Sequence, residues 1–395
     1  MFKFEEKVIN FCKKNYIILF VILITFLAFF VRFKMLDFAS YDYNNFLKPW
    51  FDDLKSNGGL KGLATYKGDY NAPYMTILAL LTYLPINSLY SIKFVSIVFD
   101  FLLAISSGLL VKELVKQNKK IYFVLTYAIL LFVPSVLLNG AYWCQCDSIY
   151  TTFIVLSLLF LVKEKYIPSF IMLGLSLSFK LQFIFILPLY LILYVMKKKF
   201  SILNFLIIPI VDIVLCLPAI IYGKPILDCL TVYFKQTATY SKSLVLNFPN
   251  IYQIFTGNVD IFYTLGEVIT IFVCALTLMY ILYKKIKFNS EKILLLGIWF
   301  ITTLTFLLPG MHERYLFVGE VLSILYFIVY RKNGFFMLFV NLCPMITYSI
   351  FLGGLNFQYM QLLSIGFLIL LYFYTKIVFK TLIGSKINEV QNKGV

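Results

Sequence analysis

Long apolar runs, each closed off by a short cluster of lysines, recur along the whole chain, and this alternation restricts the fold more than any single motif does. The runs fall at about residues 16–31, 89–111, 121–138, 148–162, 166–179, 183–196, 202–222, 261–283, 293–308, 316–330, 335–352 and 359–379. That makes about twelve candidate spans. Several are shorter than the roughly 20 residues a helix needs to cross hydrocarbon, so they must borrow polar flanks or thin the bilayer. A chain that is 61% hydrophobic and 14% charged, with mean hydropathy +0.87, cannot bury so much apolar surface in a water-soluble core. The sequence therefore predicts an all-α, polytopic integral membrane protein. A net charge of +16 would suggest nucleic acid in a soluble protein, but here the basic residues sit between apolar runs, as the positive-inside rule requires, and no nucleic-acid partner is expected.

Lysine counting orients the spans. Residues 1–15 carry Lys3, Lys7, Lys13 and Lys14 ahead of the run at 16–31, which is too long for a signal-peptide core and lacks a small-residue cleavage site. It is expected to be a retained span with a cytoplasmic N-terminus. The apolar stretch 74–84 is too short to cross; as an interfacial helix it leaves Lys112, Lys116, Lys119 and Lys120 in the cytoplasm. The same bookkeeping places Lys163, Lys165, Lys197–Lys199, Lys284, Lys285, Lys287, Arg331, Lys332 and the tail lysines Lys376, Lys380, Lys386 and Lys393 inside. Opposite them lie a large first outer loop (35–88, with its polar interval at 37–74), the stretches 139–147 and 180–182, a second outer loop (223–260), and 310–314 and 353–358. Both termini are expected inside, and the chain reads as one transmembrane domain, 1–395, without internal repeats.

Every chemically suggestive cluster falls on the outer face. The first outer loop holds Asp42, Asp52, Asp53 and Asp69 beside Tyr41, Tyr43, Trp50 and Tyr66. Aromatic rings next to carboxylates suit sugars, whose apolar faces stack while their hydroxyls bond to oxygen, although a loop carboxylate can also serve only to keep the segment wet. The tract 139–150 contains Trp143, Gln145 and Asp147; Asp147 could equally cap the next helix, which leaves Trp143 and Gln145 unexplained. Lys180 and Gln182 interrupt an apolar hairpin, where a lysine is costly unless it pairs or snorkels. The tract 310–315 carries the single histidine, His312, with Glu313, Arg314 and Tyr315. Lys180, His312 and Arg314 on one surface are what a phosphate needs, with Arg314 supplying a bidentate fork and Tyr315 a hydroxyl donor. Glu313 is expected to orient Arg314 or His312. The seven cysteines lie mostly within or beside apolar runs, and Cys144 and Cys146 have no second Cys/His pair to complete a zinc site. No cofactor is called for, and dependence on a divalent metal stays open.

The order of an acidic first loop, Asp-Tyr-Asn-x-Pro-Tyr, Trp-x-Gln-x-Asp-x-x-Tyr, Lys-x-Gln, Asn-x-Pro-Asn-x-Tyr and His-Glu-Arg-Tyr resembles the GT-C glycosyltransferases. It is most similar to bacterial proteins described as Gpi-mannosyltransferase-like, and more distantly to the eukaryotic lipid-linked-oligosaccharide glucosyltransferases. The resemblance runs from Asp42 to Tyr315; Ala72 stands where relatives often have a first proline. It implies a GT-C fold in the cell membrane and inverting transfer of a hexose from a polyprenyl-phosphate donor to an extracytoplasmic glycan or lipid-linked acceptor. By the same resemblance Asp42 would be the catalytic base. Asp69, Tyr70, Trp143, Gln145, Asp147, Gln182, Asn247 and Asn250 would bind substrate, and Lys180, His312, Arg314 and Tyr315 would hold the phosphate. Two other functions fit the same composition. A transporter or flippase for a lipid-linked or anionic solute could use the intramembrane charges Lys93, Asp100, Asp212, Glu267 and Glu320, with Lys93 and Asp100 seven residues apart on one helical face as part of a relay. A polysaccharide polymerase or ligase would use the same kind of outer apparatus.

Overall fold

The computed structural model describes residues 2–240, 243–354 and 358–391. Residues 241–242 of the second outer loop, residues 355–357 of the last outer turn and the tail cation Lys393 lie outside the described residues. The chain forms helices α1 (Lys3–Phe33), α2 (Lys48–Ser56), α3 (Ala72–Leu81), α4 (Ser88–Leu114), α5 (Lys119–Phe132), α6 (Pro134–Leu137), α7 (Asp147–Val162) and α8 (Tyr166–Phe179). It continues with α9 (Leu187–Lys197), α10 (Ile207–Ile221), α11 (Ile226–Leu230), α12 (Val232–Tyr240), α13 (Val259–Tyr283), α14 (Ser290–Leu307), α15 (Phe317–Tyr330), α16 (Gly334–Gly353) and α17 (Met360–Gln391). The described strands are two short segments, β1 (Val245–Leu246) and β2 (Met311–His312), paired in parallel.

Among the described residues, seven helices are long and apolar enough to cross a membrane, and eight if α5 and the broken helix after it count as one span. The break there is a 57° bend. Pro134 causes it: proline bars the residue before it from the helical region, and Val133 accordingly adopts an extended φ/ψ of −60°/124°. The protein is thus an all-α, multi-pass membrane protein.

Burial differs widely among the helices. The 31-residue α1 buries two side chains, whereas the 16-residue α7 buries twelve and the 14-residue α15 buries eleven. Fourteen residues rise only ~21 Å, well short of ~30 Å of hydrocarbon. A helix enclosed by other helices need not match the bilayer, because its ends meet protein rather than lipid. The short apolar helices α7 and α15 therefore form the centre. The stretch expected to lie flat as an interfacial helix is also drawn in: α3 buries Ala72, Pro73, Tyr74, Met75, Leu78 and Ala79 against its neighbours. Its apolar residues surround the whole helix, so no polar face is left for an interface.

Several of the buried charges are fixed in place; Glu320 of α15 is fully buried, and neither of its carboxyl oxygens has a hydrogen-bond partner among the described residues. Arg32, at the end of α1, donates from Nε to Asp100 Oδ2 of α4 at 2.9 Å, both side chains being fully buried, and Ser148 Oγ donates to the other Asp100 oxygen at 2.6 Å. A Cβ on Gly140 would stand 3.1 Å from Asp100 Oδ2, so a side chain there would press on this pair by a few tenths of an ångström. Lys93 directs Nζ at the carbonyls of Met35, Leu36 and Phe38, at 2.9, 3.0 and 2.7 Å. Asp212 accepts from Asn71 Nδ2 at 2.8 Å, and Glu267 is exposed. Lys93 and Asp100 share a face as the sequence suggests, yet each is engaged elsewhere, and the relay considered above does not form.

Removing one member of a buried pair leaves a bare charge, whereas removing both does not. Arg32→Met alone is expected to cost about 3–5 kcal/mol in reversible unfolding from detergent, and the double variant Arg32→Met/Asp100→Leu to regain most of it. Equal losses in the single and double variants would show that the pair does not fix α1 on α4.

Candidate functional site

Lys93 determines where the first loop starts. By holding three carbonyls just beyond α1 it brings Ser40 against the chain that follows α6, where Ser40 Oγ donates to the Trp143 carbonyl at 2.6 Å and accepts from the Tyr43 backbone N–H at 3.1 Å. Asp42 then opens a π turn, Tyr43–Leu47, that runs into α2. A second π turn, Leu138–Tyr142, places Trp143 opposite it, and Cys144 in the left-handed region (φ 71°) reverses the chain into α7.

The Asp42 carboxylate is anchored through one oxygen. Oδ2 accepts from Trp143 Nε1 at 2.9 Å, from Gln145 Nε2, and from the Arg314 guanidinium at 3.0 Å. Oδ1 has no hydrogen-bond partner among the described residues and belongs to a side chain that lines the cavity. Tyr70 donates its hydroxyl to Gln145 Oε1 at 3.3 Å and so holds the amide with its NH2 toward Asp42.

A second carboxylate lies behind the first. Asp147 is fully buried; it takes Nζ of Lys180 on Oδ1 at 2.5 Å and Nδ2 of Asn139 on Oδ2 at 2.7 Å, while Nε of Arg314 approaches Oδ2 to 3.9 Å. Asp42, Arg314, Asp147 and Lys180 therefore alternate in sign. Lys180 reaches this position because α8 ends there and the residue is extended, before the chain resumes in a 3-10 turn, Leu181–Ile186, that carries Gln182.

The tract around His312 is placed by the strand pair. Val245 and Leu246 align with Met311 and His312, the Gly310 N–H donates to the Leu244 carbonyl at 2.9 Å, and Asn247 (φ 62°) bridges back to His312. Burial pushes the His312 imidazole down to about 3, with Arg314 and Lys180 adding repulsion. His312 is consequently neutral near pH 7. It was expected to be one of three phosphate-binding cations, and it can offer only a neutral N–H.

These elements enclose a cavity of about 210 Å³. Its wall includes Asp42, Asp69, Tyr70, Gln145, Lys180, Gln182, His312, Arg314 and Tyr315, so nine of the sequence candidates meet at one place. Burial raises the Asp69 carboxyl above its usual range. Four candidates take other roles. Trp143 is buried beneath Asp42, between Phe351 at 4.8 Å and Tyr348 at 4.9 Å, and cannot stack on a ligand. Asp147 is the buried counter-charge. Asn250 is fully buried, caps the turn Ile251–Gln253 and ties Nδ2 to the Leu244 carbonyl. The Asn247 side chain lies close to Glu313 rather than lining the cavity.

Other wall residues carried no motif signal. Tyr233 and Gln236 come from α12, and Phe351 comes from α16, beyond the last recognisable motif. An aromatic residue in an apolar helix reads as core, so nothing in the sequence distinguished Phe351. Among the described residues no group of three or more His, Cys, Asp or Glu side chains is placed to hold a metal ion. No protein-family model matches the chain, and no curated protein is significantly similar to it.

The pairing of Lys180 with Asp147 changes what a lysine substitution reports. Lys180→Met is expected to lower stability by about 3–5 kcal/mol, since it strands Asp147, and Lys180→Met/Asp147→Asn to recover much of that. Thermal unfolding of detergent-purified protein followed by fluorescence reads both; an unchanged midpoint for Lys180→Met would mean that water, not Lys180, compensates Asp147.

Proposed function

We propose that the chain is an inverting GT-C-type glycosyltransferase that moves a hexose from a polyprenyl phosphate to an acceptor hydroxyl, with Asp42 as the base. The observation that carries this reading is the asymmetry of Asp42. One oxygen is locked by three donors, and the other has no hydrogen-bond partner among the described residues, on a side chain that lines an aromatic-walled cavity beside two cations. A base must be positioned without having both oxygens occupied, and this arrangement meets that condition. Tyr41, Trp50 and Tyr70 supply faces for a sugar ring. Arg314 commits only one edge of its guanidinium to Asp42, which leaves further N–H donors for phosphate oxygens, and Lys180 adds a point charge. As the C1–O bond lengthens, charge grows on the phosphate, and fixed cations in a low-dielectric wall stabilise it more than they would in water.

In this reading about twelve spans are completed by the short central helices, the cavity opens on the extracytoplasmic side, and both termini are cytoplasmic. Nothing in the arrangement separates a simple transferase from a polymerase or ligase, since they differ in acceptor. A transport role has less support, because Lys93, Asp100 and Asp212 are held in static contacts.

The test is transfer of labelled sugar from a panel of polyprenyl-phosphate hexoses by membranes containing the protein. Asp42→Asn is expected to keep donor binding and to slow transfer by roughly 10²–10⁴. Arg314→Lys keeps the charge, loses the fork and should still impair transfer. Near-normal turnover by Asp42→Asn would remove Asp42 as base and turn attention to Asp69.

Orientation is checked separately. In a background lacking the native cysteines, single cysteines at the exposed positions Asn57 and Asn118 are treated with a membrane-impermeant thiol reagent in sealed cells. Position 57 is expected to label and position 118 to stay protected; the reverse pattern would put the cavity in the cytoplasm.

A further inference from the structure

Glu313 lines the cavity, and the mechanism above gives it no task. It follows β2 directly and is 1% exposed. Its Oε2 is buried without a hydrogen-bond partner among the described residues, and the Asn247 side chain lies close enough to favour the ionised form. Arg314 is its neighbour in sequence yet is engaged with Asp42 at 3.0 Å and Asp147 at 3.9 Å, and among the described residues no ion pair within 4 Å reaches Glu313. A buried carboxylate without a cation is among the most costly groups a protein can hold, and a proton removes most of that cost.

The surroundings agree. Burial raises the Glu313 carboxyl to about 7, with the Asp42 charge adding to it, although Arg314, the Asn247 side chain and its own backbone N–H favour ionisation. The remaining groups facing it are the neutral His312 on its own tract and, from α16, the Tyr348 hydroxyl. A protonated carboxyl is an O–H donor, and Glu313 lines a cavity that, on the reading above, receives a phosphate. It would hydrogen-bond that phosphate where a carboxylate would repel it.

We propose that Glu313 is the general acid of the site: it enters the cycle protonated and passes its proton to the phosphate oxygen freed when the sugar departs. This rests on the transferase reading. In the step, the sugar C1–O bond to phosphate breaks with both electrons going to that oxygen, the acceptor oxygen forms the new C1–O bond, and the acceptor proton goes to Asp42. The proton from Glu313 goes to the departing oxygen. The products are the glycoside, a polyprenyl hydrogen phosphate, protonated Asp42 and ionised Glu313; water in the opened cavity returns the proton from Asp42 to Glu313. The match is favourable because a phosphate monoester takes its second proton near pH ~6, and a general acid works best when its own proton is lost near the operating pH.

Two measurements test this. Infrared difference spectra of the purified protein should show a protonated-carboxyl band that disappears as pH rises through about 7 and is missing from Glu313→Gln. Absence of a Glu313 band on the acid side overturns the proposal whatever the activity. With the donor that wild type uses best, transfer should fall about tenfold per pH unit above 7. Glu313→Gln keeps the shape and an N–H donor but has no proton to give, so it should be slower by roughly 10²–10⁴ and lack that alkaline decline. A Glu313→Gln enzyme with the wild-type rate and profile overturns the role of Glu313 alone. Wild-type membranes that transfer from no donor overturn the transferase reading and this proposal together.

Discussion

A charge taken out of water must find its counter-charge, and in this protein that requirement decides where the backbone goes. Arg32 and Asp100 fix the end of α1 on α4; Lys93, on the same face of α4, gathers the carbonyls that follow. The first loop cannot then start anywhere else, and Asp42 is delivered seven residues later in the Lys93-bound stretch to the indole and amide waiting at Trp143 and Gln145. Isolated charges would not survive in such a place. Each is retained because its partners come from another part of the chain, so these contacts act as joints between elements distant in the sequence.

The same logic runs through the cavity wall. Asp42, Arg314, Asp147 and Lys180 come from four separate parts of the chain and alternate in sign, so the group is close to neutral as a whole. Asp147 holds both cations near the position where Asp42 faces the cavity, and it does so from a fully buried site that no ligand reaches. A residue that resembles a substrate contact in the sequence is here a support for two others. Trp143 is similar: its ring packs under the site, and only its N–H bears on the chemistry.

Much of this was legible in the sequence, for identifiable reasons. Apolar runs announce helices whatever their partners, and ionisable residues inside such runs announce contacts because bare charges are too costly there. With the lysine-derived topology, the aromatic and acidic residues of the first loop and the polar tract at 310–315, those signals pointed to Asp42, Lys180, Gln182, Arg314 and Tyr315, which line one cavity. What stayed hidden was whatever depended on who faces whom. The expected relay between Lys93 and Asp100 followed correctly from helical spacing and failed because Arg32 and the chain after α1 were closer. The neutral state of His312 depends on burial and on two cations from elsewhere in the chain. The stretch at α3 looked interfacial by length alone, whereas its uniformly apolar surface belongs inside. Phe351 gave no signal because an aromatic side chain in an apolar helix carries none.

Neutrality of the four-charge group has a consequence for any anionic ligand. A phosphate that enters brings negative charge to a set whose cations are already engaged, and its departure from a sugar adds more. Arg314 can meet part of this with N–H groups that Asp42 does not use, but releasing Asp42 would remove one of the three donors that position the carboxylate. Lys180 cannot leave Asp147 without stranding a buried charge. The site therefore gains little by moving its cations and more by limiting the negative charge that develops. A carboxyl that is neutral when the ligand arrives, buried next to these groups but paired with none of the cations, is the element of the wall best suited to that limit, and Glu313 is the residue that occupies this position.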